Sequence, residues 1–174
     1  MAGSPWASAR GGCSLRLKDK VVLVSGGASG IGAETARLVL REGGKAVLAD
    51  RDEAKGRALA AELGKATTFV ALDVTDEPAW QKAVATTVET YGGLHGLLNA
   101  AGVGVRNSIE DCSLEEYRRV NDINSLGTFL GCKSAIPAMT KSGGGSIVTS
   151  RRCSACAARP MRWPIRPARA RCAR

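Results

Sequence analysis

The sequence predicts an α/β domain built on a doubly wound parallel sheet, and two patterns predict it. Between Lys18 and Val148, short apolar runs rich in valine and leucine alternate with longer amphipathic stretches. Short runs that are apolar throughout are typical of strands buried on both faces of a sheet. Strands that alternate with helices form βαβ units, whose strands are parallel. We therefore expect five strands and four helices in a single layered domain, with no internal repeat.

Five apolar runs mark the predicted strands. They are VVLV at 21–24, AVLA at 46–49, TTFVAL at 67–72, GLLNA at 96–100 and SIVT at 146–149. Each run has the length of a strand rather than of a helix, and the intervals between most of them leave room for one helix.

Four stretches with helical periodicity separate the strands. They are residues 30–44, 52–64, 76–93 and 113–139. In the first stretch the apolar residues share one face: Ala33, Ala36, Val39 and Leu40. This spacing predicts an amphipathic helix that packs on the sheet.

Capping residues mark where these helices begin and end. Ser113 and Glu116 have the spacing of a capping box, and Asp76 is the expected N-cap of the third helix. Gly43-Gly44 and Gly92-Gly93 are expected to end the first and third helices, because glycine readily adopts the left-handed conformation of a helix C-terminus.

A glycine-rich turn, SGGASGIG at 25–32, joins the first strand to the first helix. Gly26, Gly30 and Gly32 permit a tight turn, a close approach of the backbone to a pyrophosphate, and packing of the helix against the strand. The helix N-terminus then directs its unpaired N–H groups at the phosphates. Glycine-rich turns can also serve packing alone. Here the position of the turn between the first strand and the first helix supports the nucleotide-binding interpretation.

Asp50 ends the second strand. An acidic side chain there can accept hydrogen bonds from both adenosine ribose hydroxyls and would repel a 2′-phosphate. This favours NAD over NADP as cofactor. Arg51 could soften the preference, whereas Ser29 adds no positive charge to the site. The alternative is an ordinary solvated loop acid.

Together these residues resemble the short-chain dehydrogenase/reductase family of the classical type, whose turn reads T/S-G-x-x-x-G-I-G. The resemblance covers roughly Leu17 to Val148. It implies a Rossmann-like sheet and an NAD-dependent oxidoreductase that interconverts a secondary alcohol and a ketone. The cofactor-binding residues it implies are Ser25, Gly26, Ser29, Gly30, Ile31, Gly32, Asp50, Asp73, Val74, Asn99, Ala100, Ala101 and Gly102.

Three further motifs of the family follow the turn. Asp73 in LDV matches the residue that hydrogen-bonds the adenine amino group in the family. NAAG at 99–102 matches the motif that steadies the sheet centre and lines the cofactor. Asn124 in INSLG matches the helix asparagine of the catalytic tetrad, which anchors a proton-relay water. Taken alone, Asn124 would be an ordinary helix asparagine.

The histidine and the two tyrosines are not expected to be catalytic. The sole histidine, His95, is expected to be a solvated loop residue. The family's catalytic tyrosine belongs to a Tyr-x-x-x-Lys pair, and neither Tyr91 nor Tyr117 is followed by lysine at that spacing. We expect both to be packing residues.

The family pattern stops after Val148: the family's fifth strand reads V-N-I-S-S, whereas here Val148 is followed by TSRRC. Loss of one adenine from codons for V-N-I-S-S yields V-T-S-R-R, and the shifted frame further along admits the Tyr-x-x-x-Lys pair. We therefore expect a frameshift after about residue 148, a sheet incomplete at its C-terminal side, and a disordered, aberrant Arg/Ala/Pro-rich tail at 151–174.

Loss of these motifs predicts that the chain as written is inactive. Of the catalytic tetrad only Asn124 remains, since Ser150 stands short of the serine position. Two alternatives stay open. The chain is a non-catalytic NAD(H)-binding fragment, or it barely folds because its fifth strand leaves an exposed edge.

The net charge of +9 is concentrated in the tail. Residues 151–174 hold eight arginines and no acidic residue, whereas the rest of the chain has 17 basic and 16 acidic residues. A basic arm for nucleic acid or anionic membranes is the alternative interpretation, but the tail offers no amphipathic face and no repeated aromatic platform. We expect neither partner. The expected partner is a small-molecule alcohol or ketone, with a homo-oligomer expected for the intact enzyme.

The six cysteines do not predict a metal site or a disulfide framework. Cys153-x-x-Cys156 has metal-like spacing but lacks a second pair or a downstream histidine. Free thiols without a signal peptide predict a cytoplasmic protein, and no stretch approaches the ~20 apolar residues of a membrane span. We expect residues 1–16 to be a flexible extension and residues 17–150 to form the NAD-binding domain.

Overall fold

Five parallel strands form one sheet in the computed structural model, which describes residues 15–105 and 107–150. The strands are β1 (Val21–Ser25), β2 (Lys45–Asp50), β3 (Thr67–Ala71), β4 (Gly96–Asn99) and β5 (Ser146–Thr149). Their order across the sheet is β3-β2-β1-β4-β5. The chain therefore winds one way from β1 to β3 and then crosses to the other side of β1, which confirms the predicted doubly wound, Rossmann-like sheet.

The helices lie where the periodicity predicted them, with one difference. They are α1 (Gly30–Arg41), α2 (Glu53–Leu63), α3 (Glu77–Tyr91), α4 (Leu114–Asn121) and α5 (Gly127–Lys141). The sequence predicted a single helix from residue 113 to 139, but a π-helical turn, Asp122–Leu126, separates α4 from α5. None of the helices in residues 15–105 and 107–150 combines the length and the hydropathy that a membrane span requires.

The predicted capping box and glycine ends are present. The Ser113 hydroxyl accepts a hydrogen bond from the Glu116 N–H at 3.1 Å, and the Glu116 carboxylate accepts one from the Ser113 N–H at 3.0 Å. Gly92 ends α3 with φ of 84°, and Gly43 follows α1 with φ of 81°. Asp76 takes the predicted N-cap position of α3, but its side chain makes no capping hydrogen bond.

The core has two parts because the sheet is buried on both faces. Trp80 of α3 and Leu130 of α5 pack on one face, together with Leu23, Val47 and Leu97 of the sheet. On the other face, the apolar residues of α1 and Leu59 of α2 pack against Ala46 and Leu48. Successive residues of β2 thus point to opposite layers, as a strand covered on both sides requires.

At one edge of the sheet, β5 pairs with β4, and no other described strand pairs with it. Ile147 packs against the core, whereas Val148 is 56% exposed. The exposed strand edge expected from the sequence is therefore present in the described part of the molecule.

His95 lies in the loop directly before β4, as predicted, but it is half-buried rather than solvated, so that part of the prediction is wrong. Its Nδ1 accepts a hydrogen bond from the Val21 N–H at 3.2 Å. Its backbone N–H donates to the Val21 carbonyl at 2.9 Å, and its carbonyl accepts from the Ser146 N–H at 3.0 Å. His95 thus joins the beginnings of β1, β4 and β5.

The two tyrosines differ. Tyr91 packs against the core, and its hydroxyl lies 2.9 Å from the Thr68 hydroxyl, which confirms a packing role. Tyr117 is 48% exposed, so its predicted packing role is wrong: the exposed side of α4 carries it.

The predicted N-terminal extension and aberrant tail fall largely outside the described residues, as does the Cys153/Cys156 pair. Of the extension, the structure describes Leu15 and Arg16, and the Arg16 guanidinium lies 2.9 Å from the Glu42 carboxylate at the end of α1.

Candidate functional site

A cavity of about 910 Å³ opens at the carboxyl ends of the strands. In a doubly wound sheet this is where ligands bind, at the point where the strand order reverses. Eleven of the predicted cofactor-binding residues line it: Gly26, Ser29, Gly30, Ile31, Gly32, Asp50, Asp73, Val74, Ala100, Ala101 and Gly102. The structure thus brings together motifs that are widely separated in the sequence.

The glycines of the turn after β1 have different roles. Gly26 has φ of 69°, and a Cβ there would lie 2.7 Å from the Ala101 backbone nitrogen. A Cβ on Gly32 would collide with the Gly26 carbonyl oxygen. Gly30 has φ of 53° and nothing within 4 Å of its Cβ position. Gly26 and Gly32 therefore allow close packing, whereas Gly30 leaves open space at the cavity wall.

The N-terminus of α1 faces this open space. Ser29 is the N-cap residue, but its side chain makes no capping hydrogen bond, and the first turn carries no acidic residue. Helix N-termini have N–H groups without intrahelical acceptors and a partial positive charge. The turn and helix can therefore hold the pyrophosphate of a dinucleotide, and the residues present fit such a group.

Asp50 is anchored rather than freely solvated. Its Oδ2 accepts a hydrogen bond from the Ala28 N–H at 3.0 Å, and its Oδ1 accepts one from the Asp52 N–H at 3.1 Å. The first of these bonds ties the end of β2 to the glycine turn. The carboxylate is thus fixed at the cavity wall, in a position to accept hydrogen bonds from a ligand.

Asp73 is fixed by Thr75. Its Oδ1 accepts hydrogen bonds from the Thr75 hydroxyl at 2.7 Å and from the Thr75 N–H at 2.9 Å. These two bonds, the hydroxyl first, hold the pKa of Asp73 below its ordinary value, and the positive charge of Arg51 adds to the effect. Asp73 is therefore an ionised acceptor on the cavity wall at neutral pH.

Ser25 and Asn99 lie behind the wall of the cavity. Both are buried at the ends of neighbouring strands, where they form a register pair. The Asn99 amide donates to the Cys132 sulfur at 3.8 Å, and its Oδ1 has no hydrogen-bond partner within the described structure. The Asn99 side chain thus links the end of β4 to α5.

Asn124 lies in the π-helical turn and holds the loop that follows β4. Its Oδ1 accepts a hydrogen bond from the Val103 N–H, and its Nδ2 donates to the Val103 carbonyl, both at 2.9 Å. Val103 lines the cavity and Asn124 does not. The side chain of Asn124 therefore positions a wall segment.

One wall of the cavity was missed in the sequence. It is formed by residues three or four positions apart along α4 and the π-helical turn: Glu115, Arg118, Arg119, Asp122, Ile123 and Leu126. This spacing places them on one face of the helix. The helix was predictable from its periodicity, but nothing in the residue pattern indicates that this face meets the cavity.

Metal-ligating side chains are not gathered in the described part of the chain. No three histidine, cysteine, aspartate or glutamate side chains in residues 15–105 and 107–150 form a group that could hold a metal ion. Cys132 is a free thiol.

Comparison with known proteins places these features in a family. A family model described as short chain dehydrogenase matches residues 20–161. The chain is 46% identical over 135 residues to a 3-alpha-(or 20-beta)-hydroxysteroid dehydrogenase of Mycobacterium tuberculosis, covering 78% of this chain and 52% of the relative. It is 42% identical over 132 residues to a 3-beta-hydroxysteroid dehydrogenase of Comamonas testosteroni, covering 76% and 52%.

A plant protein is similar over a longer segment. The mitochondrial borneol dehydrogenase of Lavandula x intermedia is 40% identical over 151 residues, which cover 86% of this chain and 58% of the relative. The chain thus spans about half the length of the curated relatives it matches.

Proposed function

Because the chain belongs to the short-chain dehydrogenase family, we propose that it binds NAD(H) in the cavity at the carboxyl ends of its strands. One observation carries the proposal: the cavity wall combines the open space at Gly30, the N-terminus of α1 and the anchored carboxylate of Asp50. The first two suit a pyrophosphate, and the third suits a ribose.

The same geometry supports NAD over NADP. Asp50 is held by two backbone N–H groups at the end of β2, so its carboxylate cannot easily turn away from a ligand. A 2′-phosphate there would meet a fixed negative charge. Arg51 also lines the cavity and offsets part of that charge.

For the intact enzyme we propose the interconversion of a secondary alcohol and a ketone. The relatives are named for hydroxysteroids and for borneol, which supports a small-molecule alcohol as substrate class. When bound, the nicotinamide supplies the hydride chemistry. In this chain Asp50 and Asp73 would orient the adenosine. Asn124 would hold the loop of Val103 beside the nicotinamide end of the cofactor. A cytoplasmic setting and a homo-oligomer belong to the same proposal.

The chain as written is proposed to bind cofactor without turning over an alcohol. The family's reaction needs a Tyr-x-x-x-Lys pair beyond the fifth strand, and residues 151–174 contain neither tyrosine nor lysine. A tyrosine whose pKa is lowered by a neighbouring lysine acts as the family's general acid/base, so its loss removes the proton transfer. A frameshift near codon 149 accounts for the missing pair.

Two measurements on the full chain test these statements. Calorimetric titration should show saturable binding of NADH, with NADPH binding more weakly. Incubation with NAD and a panel of secondary alcohols should yield no NADH above a blank without protein. Absence of NADH binding would refute the cofactor proposal, and turnover of any alcohol would refute the proposed inactivity.

Sequencing the source DNA across codons 145 to 174 tests the frameshift separately. One additional base near codon 149 that restores the serine, tyrosine and lysine would identify the tail as an error. Its absence would show that the chain is a natural variant without the pair.

A further inference from the structure

Trp80 is fully buried in the first turn of α3, directly behind the cavity. Its indole N–H donates a hydrogen bond to the Val74 carbonyl at 3.0 Å. Val74 lies in the loop after β3, which lines the cavity through Asp73, Val74 and Thr75. A buried core side chain thus holds the backbone of a cavity-lining loop.

Val74 is also in close contact with the start of α5. A Cβ at Gly127 would lie 2.9 Å from Val74 Cγ2 and 3.3 Å from the Val74 carbonyl oxygen. Gly127 is the buried residue that directly follows the π-helical turn. Val74 therefore contacts both the indole of Trp80 and the first residue of α5.

The indole contacts that helix as well. A Cβ at Gly131 would lie 2.8 Å from the Trp80 ring, so α5 approaches the indole closely only because residue 131 is glycine. The ring fills the space between the sheet and α5, while its N–H points to the loop after β3. Packing and hydrogen bonding by one side chain thus define where Val74 lies.

We propose that Trp80 is a positioning residue for the adenosine end of the cavity, the end formed by Asp50 and the Asp73–Thr75 loop. Its N–H fixes the Val74 carbonyl and so sets the loop beside Asp73 in the conformation that receives the adenosine. This inference rests on the proposed NAD binding. It assigns the indole a role in ligand binding beyond its contribution to the core.

The substitution Trp80→Phe tests the proposal, because phenylalanine keeps an aromatic ring but cannot donate a hydrogen bond. We expect the Kd for AMP and for NADH to rise about fivefold, as expected for loss of one hydrogen bond that orders a binding loop. The Kd for nicotinamide mononucleotide should not change, because that ligand lacks the adenosine. Calorimetric titration of the full chain below its melting temperature measures all three.

Leu94→Val provides the matched control. Leu94 is fully buried in the same core cluster, but it precedes β4 at the end of the sheet opposite the cavity. The Leu94→Val substitution should lower the melting temperature and leave the Kd for AMP unchanged. Gly127→Ala should raise the Kd for AMP, since the added methyl group would press on Val74.

If the Trp80→Phe variant does not unfold cooperatively, a variant with benzothienylalanine at position 80 is tested in its place. This amino acid keeps the bicyclic shape of the indole and has sulfur in place of the N–H. The same rise in the Kd for AMP and for NADH is therefore expected. A folded variant at position 80 that binds AMP with the wild-type Kd would overturn the inference. Failure of the wild-type chain to bind NADH or AMP would instead refute the NAD proposal.

Discussion

At the scale of single residues, the two carboxylates of the cavity wall are held in different ways. Asp50 accepts backbone N–H groups from the glycine turn and from the residue that caps α2, so it links two elements. Asp73 accepts both its hydrogen bonds from Thr75, within its own loop. Asp50 therefore depends on the packing of the sheet, whereas Asp73 depends on one neighbouring residue.

The dependence of Asp73 on Thr75 has a consequence for pH. The hydroxyl of Thr75 is the largest cause of the lowered pKa of Asp73, so Thr75→Val should raise that pKa toward its ordinary value of 3.8. A carboxyl whose pKa is lower in the folded state stabilises the fold above its unfolded pKa and loses that contribution as pH falls through the folded pKa.

Thr75→Val should therefore be less stable than the wild type at neutral pH, and the difference should shrink below about pH 4 as Asp73 is protonated. Urea unfolding at pH 7 and pH 3 measures the difference, with Thr140→Val as control because the Thr140 hydroxyl donates only to the Ile136 carbonyl within α5. A difference that stays constant with pH would contradict the assignment to Asp73.

Among the elements, the helices show which local features a sequence predicts. The capping box at Ser113 and the glycine that ends α3 involve residues within one turn of each other, so residue types alone predicted them. The π-helical turn was not predicted, since it accompanies the two hydrogen bonds between Asn124 and Val103. A contact that joins residues far apart in the sequence leaves no local signal.

The junction of β1, β4 and β5 depends on His95. This role could not be predicted from the sequence, because the partners of His95 lie on other strands. Removing its Nδ1 leaves the Val21 N–H without its acceptor. His95→Ala should cost about 1–3 kcal/mol of unfolding free energy, the usual effect of an unsatisfied donor at a partly buried site. His95→Asn places an oxygen near the position of Nδ1 and should recover most of the loss. Urea unfolding measures both, and a His95→Ala variant as stable as the wild type would contradict this role of the hydrogen bond.

For the molecule as a whole, the site was predictable where chain order determines proximity. Parallel strands bring their carboxyl ends to one edge, so the glycine turn, Asp50, Asp73 and Ala100 were expected to meet, and they line one cavity. The wall formed by Arg118, Arg119 and their neighbours on α4 depends on how a helix is rotated against the sheet. Periodicity predicts an apolar face, but it does not tell which polar residues meet the cavity.

The exposed edge of the sheet determines how the whole chain should behave in solution. Within the described residues β5 pairs on one side with β4, and Val148 presents an apolar side chain beside the open backbone. Such an edge templates pairing with other chains, and a charged residue on it opposes that pairing. Val148→Lys should therefore reduce concentration-dependent aggregation, measured by light scattering, while the Kd for NADH stays unchanged because Val148 does not line the cavity.

Ile147→Lys is the informative comparison for this substitution. It adds the same charge one residue earlier, where the side chain packs against the core, so it should lower the melting temperature and promote aggregation. If the two substitutions had the same effect on aggregation, net charge rather than the exposed edge would govern the association. If Val148→Lys alone kept the chain dispersed, the open edge of β5 would be the surface through which chains associate, and binding studies on the wild-type chain would need to be made at low concentration.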